Sequence, residues 1–165
     1  MRFDWKSLSA LDRAITGGAA VAFVAAFLPW YGVDIGGFSY SVSGWSAGFT
    51  AWAGSLLLTA AGVLLPLRRA GMKPGLPNVG PSVLVAGVAA LGLLLVFIRW
   101  VSLPRYHGID AGARYGLYIG LVAGIVETAA AVMEMRASGE SMPWVQANQH
   151  EHREPAPEAP AAPEE

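Results

Sequence analysis

Between Arg13 and Arg68 this chain carries a single charged side chain, Asp34, and between Arg69 and Arg99 a single one, Lys73. No other feature limits the fold as severely. Helices built from such stretches have no polar face to turn toward water, so they belong in hydrocarbon. Of the 165 residues 54% are hydrophobic and 14% are charged, whereas soluble domains carry about a quarter charged. Five of the twelve acidic residues fall in the last fifteen positions, which leaves the remainder more apolar still. These properties exclude an ordinary soluble enzyme and a nucleic-acid binder with a basic face. The absence of cysteine excludes a disulfide or thiolate–metal scaffold.

Crossing a hydrocarbon core of about 30 Å takes about twenty apolar residues in a helix. Four segments meet that requirement: residues 14–31, 47–67, 79–101 and 115–135. Their ends carry helix punctuation. Ser9 followed by Asp12 predicts a capping box before the first span. Pro81 near the start of the third lacks an N–H that would go unused there, and Pro66 falls in the last turn of the second. The first span runs into Leu28-Pro29-Trp30-Tyr31 with no small-residue cleavage site, so it is expected to be an uncleaved signal anchor. Phe3, Trp5, Leu8 and Leu11 predict an amphipathic interfacial stretch within residues 1–13.

Basic residues set the orientation. With both termini inside, Arg2, Lys6, Arg13, Arg68, Arg69, Lys73, Arg136 and Arg153 are cytoplasmic, and only Arg99, Arg105 and Arg114 lie outside. Eight against three is the positive-inside pattern. The expectation is a multi-pass protein of the cytoplasmic (inner) membrane. Residues 137–165, rich in Glu, Pro and Ala, predict a disordered acidic tail. His150 and His152 alternate there with acids, a pattern read as a solvated tail in preference to a metal site.

The first outer loop alternates Tyr31, Val33 and Ile35 with polar residues up to Gly36-Gly37, then Phe38, Tyr40 and Val42. That is the pattern of a β-hairpin, expected to lean on the membrane surface or on the second outer loop. Trp30, Tyr31, Trp45, Phe49 and Trp52 predict an aromatic girdle at the outer interface. The second outer loop gathers Arg99, Arg105, His107, Asp110 and Arg114, a candidate site for an anionic headgroup or a partner loop. It lacks a nucleophile elbow, a metal spacing or a phosphate-cradling glycine loop, so neither catalysis nor a cofactor is expected.

Within the spans, Gly112, Gly116, Gly120 and Gly124 recur every four residues and predict a helix-packing seam on the fourth helix. Gly18, Ala22 and Ala26 offer a matching stripe on the first, and Ser82, Ala86 and Ala90 one on the third. Glu127 is the one ionisable residue well inside a span, nine residues before Arg136 and therefore about 13 Å from that helix end. Thr59 lies at matched depth on the second helix and is the expected hydrogen-bond partner, with Thr128 adjacent. An intramembrane carboxyl acts either as interhelical glue, as an ion- or proton-coupling group, or as a bond to a partner subunit.

The Leu28-Pro29-Trp30-Tyr31 helix ending, Gly44-Trp45 in the outer loop, the Glu-Pro-Ala tail and nine Arg against two Lys together carry a likeness. The chain resembles small uncharacterised four-span integral membrane proteins of high-GC bacteria. Its layout is similar to claudin-type tetraspans, without their paired loop cysteines, so that analogy concerns shape alone. The expected fold is thus an all-α membrane protein: a four-helix transmembrane bundle over residues 14–136 with a short outer hairpin. The expected function is a non-enzymatic accessory or scaffold subunit of a membrane or envelope complex. Its partners are the lipid bilayer and a membrane protein or a second copy, and not nucleic acid. A small transporter or channel component using Glu127, or an anionic lipid headgroup binder through the second outer loop, are the alternatives.

Overall fold

The structure is a computed structural model and describes residues 8–69, 80–102 and 110–139. Four helices and three strands alternate along the chain: α1 Ala10–Ala25, β1 Pro29–Ile35, β2 Phe38–Ser43, α2 Phe49–Arg69, α3 Pro81–Val101, β3 Asp110–Ala113 and α4 Tyr115–Ala137. The helices form a closed ring in which α1 packs on α2 and α4, and α3 packs on the same two. The strands make one antiparallel sheet of order β2-β1-β3 across one end of the ring.

Local chemistry starts α1 where expected. The Ser9 hydroxyl accepts from the Asp12 amide at 3.0 Å, and the Asp12 carboxylate accepts from the Ser9 amide at 3.1 Å. The helix ends earlier than hydropathy suggests. It stops at Ala25, and by Pro29 the chain is extended, because residues 29–31 are recruited into the sheet. At 16 residues α1 is about 24 Å long, less than the hydrocarbon core it was expected to cross. Among the described residues the other three helices are each long and apolar enough to cross a membrane. Their outward faces carry large exposed apolar side chains, including Leu94, Phe97, Val122 and Ile125. Water would not tolerate so broad an apolar surface.

The hairpin matches its sequence signal. Gly36 and Gly37 have φ of 56° and 86°, the left-handed pair that a two-residue hairpin turn needs. Ile35 pairs with Phe38, Val33 with Tyr40 and Tyr31 with Val42. The second connection supplies the third strand: β3 pairs with β1 from Tyr31–Ala113 to Asp34–Asp110. Of the two supports foreseen for the hairpin, the described residues show the second loop.

Two buried clusters fill the ring. Next to the sheet, Trp30, Leu58, Val96 and Leu117 pack together. At the opposite end Ile15, Leu65, Val85 and Ala131 do so. α2 and α3 approach backbone to backbone at Gly54 and Gly92. A Cβ on Gly92 would stand 2.9 Å from the Leu58 amide nitrogen, and one on Gly54 2.9 Å from the Gly92 carbonyl oxygen. The predicted α3 stripe shifts accordingly. Ser82 and Ala86 are buried, but Ala90 is exposed and Ala89 and Gly92 take the inner face.

Candidate functional site

Glu127 occupies the centre of the α1–α4 contact. Its side chain is fully buried and lies against Gly18, where an added Cβ would come within 2.9 Å of the Glu127 Cβ. Neither carboxyl oxygen has a hydrogen-bond partner among the described residues. Thr59, the partner expected from matched depth, instead donates its hydroxyl to the Ser55 carbonyl at 2.8 Å. Two physical reasons account for that. α2 stands diagonally across the ring from α4, and a helical threonine readily bonds the carbonyl four residues back. The Thr128 hydroxyl, next in sequence, and the Thr16 hydroxyl on α1 are likewise buried without partners among the described residues. Among the described residues Glu127 therefore makes no interhelical hydrogen bond.

The glycine series does not form one seam. Gly112 belongs to β3, outside the helix, and is open on the side where a Cβ would point. Gly116 packs on Leu28 and the Pro29 carbonyl, Gly120 on the Trp30 ring, and Gly124 on Leu58 and Leu93. The three helical glycines thus serve two different neighbours, the α1–β1 corner and the α2–α3 pair.

At the sheet the structure separates the arginines that the sequence grouped. Strand alternation puts Tyr31, Val33 and Ile35 on one face of β1, and Gly32 and Asp34 on the other. Arg114 lies along the Gly32 face and bridges Asp34 at 2.5 Å. Arg99, from the last turn of α3, places its guanidinium 4.4 Å from the Tyr31 ring centroid on the other face. Tyr31, Val33, Tyr40, Val42 and Arg99 border a cavity of about 220 Å³ there. Asp110 stands opposite Asp34 in the β1–β3 register. Arg105 and His107 lie outside the described residues, as do residues 1–7, Lys73 and the tail with His150 and His152.

Asp34 fastens the sheet's polar face. The Ser39 hydroxyl donates to its carboxylate, and with the Arg114 guanidinium holds the carboxyl below its ordinary 3.8. A depressed carboxyl stabilises the fold above its ordinary range and loses that contribution as the pH falls through the folded value. Asp34→Asn is therefore expected to speed amide exchange at neutral pH at Gly112 and Arg114, the β3-side amides that face β1. The unmodified chain should match the variant only below pH 3.8. Equal exchange in both at neutral pH would show that the bridge holds nothing.

The aromatic girdle is partly rearranged. Trp30 and Tyr31 turn inward and are buried. The Trp30 indole donates to the Ala25 carbonyl at 2.8 Å. At the same end the exposed or half-buried aromatics pair as Phe27 with Trp45, Phe49 with Trp52, and Phe97 with Trp100. The sequence did not single out Phe27 and Phe97; their four- and three-residue spacing from Phe23 and Trp100 was the available signal.

The exposed tip of the hairpin is the other feature of note. Ile35, Phe38 and Tyr40 share one face and are 57%, 83% and 69% exposed. Among the described residues no three His, Asp or Glu side chains gather as metal ligands would. No protein family, curated protein or solved structure matches the chain.

Proposed function

We propose that this chain is a non-enzymatic accessory or scaffold subunit that crosses the bacterial cytoplasmic membrane four times, with both termini cytoplasmic and the sheet outside. The exposed apolar tip formed by Ile35, Phe38 and Tyr40 carries the proposal. A third strand and the Asp34–Arg114 bridge hold that tip on the bundle, so its apolar side chains are displayed on a supported element. Exposed aromatics on a firm backbone are what an interface core uses, because little side-chain freedom is lost on docking. Short α1 fits the same placement if the membrane is thinned around it or if Leu28 and Pro29 complete the crossing. The headgroup reading through the second loop draws less support, because Arg99 and Arg114 serve opposite faces of β1.

The test is recovery of the chain from membranes in a gentle detergent, with native mass measurement and crosslinking from position 38. The unmodified chain is expected to emerge with one defined partner crosslinked at the tip. Phe38→Ser with Tyr40→Ser should leave the chain folded and the partner lost. A clean monomer, or crosslinks to lipid alone, would overturn the scaffold assignment.

Glu127 supports a second reading, a component of a small transporter or channel. A buried carboxyl without a partner is costly, and membrane proteins keep such groups chiefly where they carry ions or protons. Because no hydrogen bond is lost, Glu127→Gln is expected to change unfolding stability by less than about 1 kcal/mol. Coupling would make ion or proton flux in proteoliposomes vanish with Gln and persist with Asp. Equal flux in the Gln variant and the unmodified chain would remove this reading.

A further inference from the structure

We propose that the groove between α1 and α4 holds one acyl chain of an anionic glycerophospholipid, with Arg13 on its phosphate. The inference rests on the membrane placement proposed above. The groove is an open one of about 540 Å³, walled by apolar and small residues, among them Gly17, Val21, Val122 and Val126. Arg13 is its one charged residue and sits at the end away from the sheet. The cleft exists because two adjacent glycines do different things. Gly18 lets α4 come close against Glu127, while beside it Gly17 faces open space, with nothing within 4 Å of where a Cβ would lie.

Depth and length select the occupant. Gly18 and Glu127 touch, so they mark one level on two antiparallel helices. Arg13 is five residues from that level and Arg136 is nine, which leaves Arg13 about 6 Å nearer the membrane centre. A guanidinium set that deep must reach outward or draw an anion toward it. A phospholipid whose chain lies in the groove brings its phosphate to the mouth where Arg13 waits. Measured along the helices, Arg13 to Tyr118 covers about 20 Å. One leaflet is about 15 Å deep, so a whole acyl chain fits.

The experiment is native mass spectrometry of the full chain in mild detergent, titrated with phosphatidylglycerol or phosphatidylcholine of equal chain length. One phosphatidylglycerol per chain is expected, retained about fivefold more tightly than phosphatidylcholine. Arg13→Gln should abolish the preference. Gly17→Leu fills the cleft with a better helix former and should remove retention of both lipids. Gly87→Leu, at an equally open position on α3, should leave both unchanged. Should Gly17→Leu fail to fold, Arg13→Gln alone decides. Equal retention of the two lipids by the unmodified chain, or retention untouched by Gly17→Leu, would overturn the proposal. So would a dimer in the unmodified chain that Gly17→Leu dissolves, since a second copy would then fill the groove. Release of the chain from membranes by alkaline carbonate would overturn the membrane placement itself. A chain that stays embedded without headgroup preference overturns this site alone.

Discussion

Trp30→Ala is expected to lower the unfolding free energy in mixed micelles by about 3–5 kcal/mol, the largest single-residue effect in the molecule. The indole is fully buried in the cluster that joins the sheet to the helices. It fills a slot made by glycines: a Cβ on Gly44 would lie 2.7 Å from Trp30 Cε2, and one on Gly120 3.3 Å from Cζ2. Neither glycine has a side chain that could swing into the space left by alanine, so the cavity persists. The indole N–H bond to the Ala25 carbonyl is lost as well, and that carbonyl keeps only the Leu28 amide, at 3.1 Å. Trp30→Phe separates the two contributions. It keeps most of the packing and should recover all but about 1–2 kcal/mol. Trp100→Ala, at an exposed ring on the same end, should stay within about 1 kcal/mol of the unmodified chain. A Trp30→Ala loss no larger than that of Trp100→Ala would mean that the sheet is not anchored through this residue.

Gly92→Val is expected to cost about 1–3 kcal/mol or to separate α2 from α3 altogether. The new Cβ would meet the backbone at the Leu58 amide and the Gly54 carbonyl, at 2.9 and 3.0 Å. Backbone atoms cannot step aside as a flexible side chain can, so the helices must part and the contacts around Leu58 and Val96 loosen. Gly87→Val on the same helix is the matched control, since nothing lies within 4 Å of its Cβ position. The two variants share the change in helix propensity, so their difference isolates the crossing. Thermal unfolding followed by circular dichroism in detergent reads it directly. Equal midpoints for the two variants would show that α2 and α3 do not approach at Gly54 and Gly92.

Both effects turn on residues whose roles the sequence left ambiguous. A tryptophan at the end of an apolar run reads as an interfacial anchor, and that is how Trp30 was placed. Its burial follows from the early end of α1 and the start of β1 at Pro29, which rotate it beneath the sheet. The regular four-residue glycine spacing drew attention to the fourth helix, yet the backbone-to-backbone approach of α2 and α3 uses Gly54 and Gly92, isolated glycines with no such repeat. A lone glycine inside an apolar helix was the available hint, because its conformational cost calls for a close contact in return.

What the sequence determined by itself is what depends on near neighbours along the chain. The scarcity of charge placed apolar helices, and three of them are long enough to span a membrane. Ser9 and Asp12 started α1, and Gly36-Gly37 between alternating apolar residues set a hairpin in register. Each of these rests on a repeat period or a cap legible within a few residues. The tertiary structure decided what depends on distant ones. β3 spans only Asp110–Ala113, without a branched or aromatic residue to announce a strand, and it exists because β1 offers an unpaired edge some 80 residues earlier in sequence. The order of helices in the ring, unreadable from hydropathy, set α2 diagonal to α4 and so denied Glu127 the hydroxyl of Thr59. Depth in the membrane can be counted along one helix, but which side chains face each other at that depth is fixed only by how the helices pack.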